Sequence, residues 1–278
     1  MASDLFDRLM NASPASIAGW VKRSLGHSPS PRASLPTWER ITAGPLAGRE
    51  VLIDRRSNGA WEDMIAGRFD AEIYSLLATE PPARHRIAWD VGAHLGFHTL
   101  GFASFVGPSG RVVAFEPNST NRERLEQNLE RNADLAERCE VLACALSDRD
   151  GDSSLVISRD IESGASSMSF LDGTTPAVDP GIAGGWSKVV VPVRTADALV
   201  RERHMAPDII KIDVEGAELL VLRGAEQIIR TSRPLLIVEA HSAKLTLEIQ
   251  RWLQAQGYEV RALADLAPSR VLLSARPA

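Results

Sequence analysis

Two cysteines in 278 residues are too few for a disulfide framework. Cys139 and Cys144 lie five apart with no partner cysteines, which matches neither a zinc pair nor a redox CxxC. The expectation is a pair of buried thiols in a reducing cytoplasm. Long apolar runs are missing too: none approaches the roughly 20 residues needed to span a bilayer. The opening MASDLFDR has neither the basic nor the apolar segment of a secretion signal, so a cytoplasmic location is expected. Excess positive charge is also lacking. A formal net charge of −5 argues against nucleic acid or anionic membranes as general partners.

What is present has the make-up of one large α/β domain plus an extension, with 44% hydrophobic and 24% charged residues. The most informative stretch is IAWDVGAHLGFH at 87–98, followed by RVVAFEP at 111–117. The first reads as an apolar strand ending in Asp90, a glycine loop and a helix start. The second is a strand ending in Glu116 and stopped by Pro117. Such a βαβ unit builds a nucleoside pocket at the carboxyl edge of a parallel sheet. The dinucleotide fingerprint places glycines at the first, third and sixth loop positions. Counted from Gly92, the third position is His94 and the sixth is Phe97; the other loop glycine, Gly96, is fifth. A carboxylate at Asp90 repels a diphosphate but suits a ligand with an ammonium and no phosphate, such as S-adenosylmethionine (SAM).

Residues 1–35 read as an N-terminal helical extension and a Pro/Ser-rich linker, which leaves a homodimer through that helix open. Residues 36–80 form a cap region, with a hairpin or two edge strands within 39–54 and a helix over 61–77. Residues 81–278 carry the main domain. Core strands are expected at 87–90, 112–116, 140–145, 209–213 and 235–239, with helices at 99–105, 120–132, 217–231 and 245–256. Alternation of this kind predicts a mostly parallel sheet covered by helices on both faces. Strands at 258–263 and 270–274, joined by a short loop, add an antiparallel C-terminal pair and complete a seven-stranded, Rossmann-like sheet. The Gly/Ser-rich stretch 148–193 is an insertion over the active site.

The chemistry-bearing residues fall at strand ends. Glu116 can accept both ribose hydroxyls of an adenosine. The loop and helix start at Gly92, Ala93, His94, Gly96 and Phe97 offer backbone amides to a carboxylate, whose neighbouring ammonium Asp90 would answer. Ala145 and Leu146 end the third strand, where an adenine ring would lie. Lys211 and Asp213 sit on an otherwise apolar central strand, where burying them unpaired costs several kcal/mol. Glu239 and His241 are delivered to the same edge by the next strand. Convergence of Asp213, Glu239 and His241 suits either a general base near a hydroxyl or the ligands of a magnesium or manganese ion.

The segments DVGAHLGFHT at 90–99, AFEP at 114–117, ALSD at 145–148 and IDVEGAE at 212–218 resemble, in order and rough spacing, the blocks of the FkbM family of SAM-dependent methyltransferases. The resemblance covers roughly residues 60–260 and departs at His94, where the family more often has a small polar residue. It implies a class I methyltransferase that methylates a hydroxyl of a sugar, glycolipid or polyketide-type natural product. It places cofactor contacts on Asp90, Gly92, Gly96 and Glu116, and an active-site role on Asp213, Glu215 and Gly216. Asp213 or His241 is the expected base, with Glu239 orienting it or helping to bind a cation. Trp61, Met64, Ser166, Ser167 and Glu215 are the expected cover of a small-molecule or glycan acceptor. Two rival readings remain open: a nicotinamide-dependent oxidoreductase on the same scaffold, and a non-catalytic methyltransferase fold serving as a scaffold in a biosynthetic assembly.

Overall fold

Strands buried on both faces need no polar alternation, and the core strands of this chain are accordingly short apolar runs. The computed structural model describes residues 36–53, 60–80, 87–158, 169–174, 186–267 and 270–278. The expected N-terminal helix and linker, and Ser166 and Ser167, lie outside the described residues. The described residues begin with an antiparallel hairpin, β1 (Thr37–Arg40) and β2 (Glu50–Ile53), followed by α1 (Ala60–Ile65) and α2 (Ala71–Ala78). The helix expected over 61–77 is thus two helices. A turn between them takes Gly67 and Asp70 through positive φ, at 67° and 47°.

The main domain continues with β3 (Ile87–Val91), α3 (Phe97–Phe105), β4 (Arg111–Phe115), α4 (Ser119–Arg131), α5 (Ala133–Ala136), β5 (Cys139–Leu142) and β6 (Ala145–Leu146). Next come β7 (Gly151–Ser158), β8 (Ser169–Leu171), β9 (Trp186–Arg194), α6 (Ala196–Arg203), β10 (Ile209–Ile212), α7 (Glu218–Gly224) and α8 (Glu226–Thr231). The chain closes with β11 (Leu235–Ala240), α9 (Ala243–Ala255), β12 (Tyr258–Ala267) and β13 (Arg270–Pro277). Seven strands form one sheet in the order β12-β13-β11-β10-β3-β4-β5. The five strands from β11 to β5 run parallel, while β13 pairs antiparallel with both β11 and β12. This is the expected mostly parallel sheet with an antiparallel C-terminal pair.

Other details also differ from the sequence reading. The single strand expected at 140–145 divides, β5 staying in the large sheet while β6 joins a second one. That second sheet, β6-β9-β7-β8, is built largely from the stretch 148–193, expected as an insertion over the active site. The helix expected at 217–231 breaks at Ala225, where the amide bonds three residues back to Leu222.

Alternate residues of each strand feed opposite faces of the large sheet. Ala88, Val112, Ala114, Ile209 and Ile237 join one buried cluster with α1 to α5 and the hairpin. Trp89, Val113, Phe115, Ile210 and Leu236 join the other with α6 to α9. The hairpin is fastened to α4 by side-chain amides: Asn128 accepts from the Leu52 amide at 2.6 Å, and Asn132 donates to the Glu50 carbonyl at 2.9 Å. From β3 the chain builds outward through β4 and β5, then crosses to β10 on the other side. The carboxyl ends of β3, β4 and β10 therefore flank a topological switch point, where open α/β sheets form their binding crevice.

Candidate active site

A cavity opens at that switch point. Val91, Gly92, His94 and Leu95 from β3 and its loop form part of its wall, with Phe115, Glu116 and Pro117 from the end of β4. Asp213, Val214 and Glu215 line it after β10, and Ala145 and Leu146 from β6. The second sheet adds Leu155, Ser169, Phe170 and Leu171, and the N-terminal region adds Ile53, Trp61, Met64 and Phe69. Asn121 and Arg270, which the sequence reading did not single out, also line it. Phe69 meets Phe97 edge-on at 5.5 Å. Beside them the His98 ring bridges the Asp70 carboxylate and the Tyr74 hydroxyl at 2.9 Å each, tying α2 to α3.

The glycine loop is held against the sheet by its own amides. Gly92 and Ala93 both donate to the Phe115 carbonyl at 3.0 Å, His94 donates to Glu116 Oε2 at 2.8 Å, and Gly96 donates to Ala93 at 2.8 Å. Gly92 has φ 79°, and a Cβ on it would lie 1.8 Å from the Asp213 carbonyl oxygen. Only glycine lets β3 turn this close to the end of β10. Gly92→Ala is expected to lower the unfolding free energy by about 1–3 kcal/mol. Urea unfolding checks this; a loss below about 0.5 kcal/mol means that the loop relaxes freely.

Glu116 is buried at the tip of β4, where its two oxygens accept from the His94 and Asn118 amides at 2.8 and 2.9 Å. Burial pushes its carboxyl pKa up to about 7, against the lowering effect of those amides. Its remaining lone pairs can accept from a vicinal diol in the cavity. The buried His94 Nε2 has no hydrogen-bond partner, and burial pulls this imidazole down to about 4, so it faces the cavity neutral at physiological pH. Arg270, the guanidinium in the cavity wall, is engaged by Glu239. Acids, a neutral imidazole and apolar walls fit an adenosine-bearing sulfonium better than a diphosphate.

Asp90 lies elsewhere. It is fully buried behind the loop rather than in the cavity wall, and it faces Lys211 across the register of β3 and β10. Lys211 Nζ is 3.2 Å from Asp90 Oδ1, and Thr99 donates to Oδ2 at 2.6 Å. The same ammonium is 3.5 Å from Asp213 Oδ2. Alternation along β3 explains the placement, since Val91 points to the cavity and Asp90 to the opposite face, toward α3. Burial alone would lower the Lys211 pKa, but Asp90 and Asp213 raise it above its ordinary value. Ala93, Gly96 and Phe97 likewise support the loop from behind: Gly96 is the N-cap of α3, and Ala93 and Phe97 are buried in the core.

At the other end of the cavity, acids converge on one imidazole. His241 Nδ1 meets Glu218 Oε1 at 2.7 Å, while Nε2 lies 3.3 Å from Glu239, 3.4 Å from Glu215 and 3.5 Å from Asp213. His241 and Glu239 are buried, and Asp213 and Glu215 are about a quarter exposed on the cavity side. Burial opposes charging His241, yet the Glu218 hydrogen bond and the nearby carboxylates push its pKa up to about 9. Burial would raise Asp213, but Lys211, His241 and Arg270 together bring it down to about 2. Glu215 is raised by burial and holds a left-handed φ of 54°, an uncommon conformation for a non-glycine residue. Glu218, the last residue of the 212–218 block, holds the imidazole in place.

Among the described residues no helix is long and apolar enough to cross a membrane. Residues 90–260 match the family model described as the methyltransferase FkbM domain. Hexuronic acid methyltransferase AglP of Haloferax volcanii is 26% identical over 176 residues, 63% of this chain and 64% of that protein. The antimetabolite synthetase AmbE of Pseudomonas aeruginosa is 28% identical over 206 residues, 63% of this chain but 9% of that protein. In fold, the chain is similar to the methyltransferase FkbM from Methylobacillus flagellatus KT. The TM-score is 0.50 at 19% identity, covering 78% of this chain and 52% of that one. The chain thus spans less than two thirds of each of these relatives. The match of the family model across most of the domain, over strand ends that meet in one cavity, makes this chain a member of the FkbM methyltransferase family.

Proposed function

We propose that this protein transfers a methyl group from SAM to a hydroxyl oxygen of a sugar, glycolipid or polyketide-type acceptor. The observation that carries the reading is the pairing of two features in one cavity. Glu116 stands at the tip of β4, where an adenosine diol would lie, and Asp213 and Glu215 stand about the tip of β10, on the other side of β3. A relative named as a hexuronic acid methyltransferase supports a sugar-type acceptor. SAM, when bound, supplies a sulfonium methyl open to in-line displacement by an oxygen nucleophile. Val91, Phe115, Leu146 and Leu155 exclude water from the cavity, and Glu116 accepts the ribose hydroxyls. With Asp90 committed to Lys211, the acids that face the cavity answer the positive charge of the donor.

Asp213 is the proton acceptor in this reading. The acceptor hydroxyl becomes strongly acidic only as its oxygen gains the new bond, so even a weakly basic carboxylate can receive the proton then. His241, held by Glu218, stabilises the acid cluster from behind. Trp61 and Met64 cover the acceptor, and the region 148–193 walls it through the second sheet. The residue spans 1–35, 36–80 and 81–278 are proposed as extension, cap and catalytic domain.

Calorimetric titration of ligand-stripped protein with S-adenosylhomocysteine tests the donor pocket. Micromolar binding that Glu116→Ala weakens by roughly tenfold or more, about 1.4 kcal/mol, is expected. Binding of NADH in place of the adenosyl ligand overturns the reading in favour of an oxidoreductase. Adenosyl binding without methyl transfer across a broad hydroxyl panel favours the scaffold role.

A further inference from the structure

We propose that Asp213, Glu239 and His241 form a binding site for a divalent first-row transition cation, of which Mn2+ is the model. The proposal rests on the methyltransferase reading for its purpose, but on separate observations for its geometry. One ligand atom from each of the three residues lies within 4.8 Å of the other two, and Nε2 of His241 is the atom that faces Oδ1 of Asp213 and Oε1 of Glu239. Glu215 Oε2 borders the same gap.

The imidazole supplies the decisive observation. His241 Nε2 is buried and has no hydrogen-bond partner, although three carboxylate oxygens surround it at 3.3, 3.4 and 3.5 Å. A ring N–H bonded to a carboxylate would draw one oxygen in to about 2.7–2.9 Å. Near-equal spacing from three oxygens is instead the spacing between ligands of a shared ion. Two atoms each about 2.1 Å from one metal, and about 90–110° apart, are separated by about 3.0–3.4 Å. The opposite ring nitrogen is fixed by Glu218 at 2.7 Å. That is the carboxylate–histidine arrangement that orients a metal-binding imidazole and sets which nitrogen faces the ion.

Charge points the same way. Asp213, Glu215, Glu218 and Glu239 converge here, against Lys211, Arg270 and the imidazolium form of His241, whose Nε2 proton a bound metal ion would displace. Lys211 is shared with Asp90, and Arg270 pairs with the same Glu239 oxygen that faces the imidazole. A dication relieves this excess of negative charge. An imidazole among carboxylates selects Mn2+, Fe2+ or Zn2+ over Mg2+ and Ca2+, which prefer oxygen ligands throughout. Asp213 and Glu215 also line the cavity, so an ion on this cluster presents its open positions to an acceptor hydroxyl. Binding there would lower the pKa of that hydroxyl.

The test uses the full-length, EDTA-treated protein titrated with MnCl2, read by calorimetry and by the EPR signal of free Mn2+. One Mn2+ per chain is expected, bound roughly tenfold or more tightly than Mg2+. Glu239→Gln and His241→Ala should each weaken Mn2+ binding by about 10–100-fold. Circular dichroism melts of both variants confirm folding, and Glu239→Gln, nearly isosteric, keeps the test decisive if His241→Ala unfolds. Absence of Mn2+ binding up to about 1 mM, or equal binding in wild type and a folded variant, overturns the proposal. S-adenosylhomocysteine titrated into the same samples separates the two readings. Adenosyl binding without Mn2+ binding sinks the cation site alone, and the converse sinks the donor pocket alone.

Discussion

Lys211→Met is expected to lower the unfolding free energy by about 3–5 kcal/mol, measured by urea unfolding at pH 7. The ammonium and the Asp90 carboxylate are both almost wholly buried, and they face each other on adjacent strands at the centre of the sheet. Methionine fills a similar volume, so little cavity energy is involved. What remains is a buried carboxylate whose hydrogen bond from Thr99 is then its main support. Removing one partner of such a pair costs more than removing both. The double variant Asp90→Asn/Lys211→Met should therefore recover most of the loss, giving a coupling energy well above the roughly 0.5 kcal/mol of independent sites. A single-variant loss below about 1 kcal/mol would show that water reaches this pair and that it does not organise the strand ends. The position has a wider consequence, because the same ammonium holds Asp213 at the cavity mouth. Loss of Lys211 thus disturbs the site as well as the core.

The large sheet was legible because its strands are continuous apolar runs ended by acids or turns, as at Asp90, Glu116 and Asp213. The second sheet was not. In β7, Ser153 and Ser154 precede Leu155 and Val156, and β9 exposes Val189 and Val190, so neither strand has the even two-sided burial that marks the core. The helix α6 is short, and its Thr195 cap sits directly after β9 with no loop to announce it. In the site, residues on strand ends were found from sequence, because the strand order brings all such ends to one edge. Side-chain direction was harder to read. Asp90, Lys211 and Glu239 share the alternation parity of Ala88, Ile209 and Ile237, which could have placed them together on the α3 face. Arg270 and Phe170 reach the cavity through long-range pairing of β13 with β11 and of β8 with β7, which no local pattern encodes.

The affinity for S-adenosylhomocysteine is expected to rise about a hundredfold between pH 5 and pH 7 and to level off above that. Burial is the main reason that the Glu116 carboxyl is pushed up to about 7; the His94 and Asn118 amides and the charge of Arg122 pull down, while Asp90 pushes further up. A diol donating two hydrogen bonds favours the ionised carboxylate. Below pH 7, binding must therefore expel a proton, which weakens the apparent affinity by about tenfold per pH unit. His94, held near 4, stays neutral over this window and does not confuse the profile. Stability of the ligand-free protein runs the other way. A carboxyl whose folded pKa is raised contributes stability that is complete below its unfolded value of 4.5 and is lost as pH rises through about 7. The thermal shift produced by the ligand should accordingly widen from pH 5 to pH 7 even as the free protein melts earlier. Glu116→Gln removes the titrating group and should flatten both trends. A wild-type affinity that does not change across this range would mean that Glu116 keeps its protonation state on binding, and that the diol is held by other groups in the cavity.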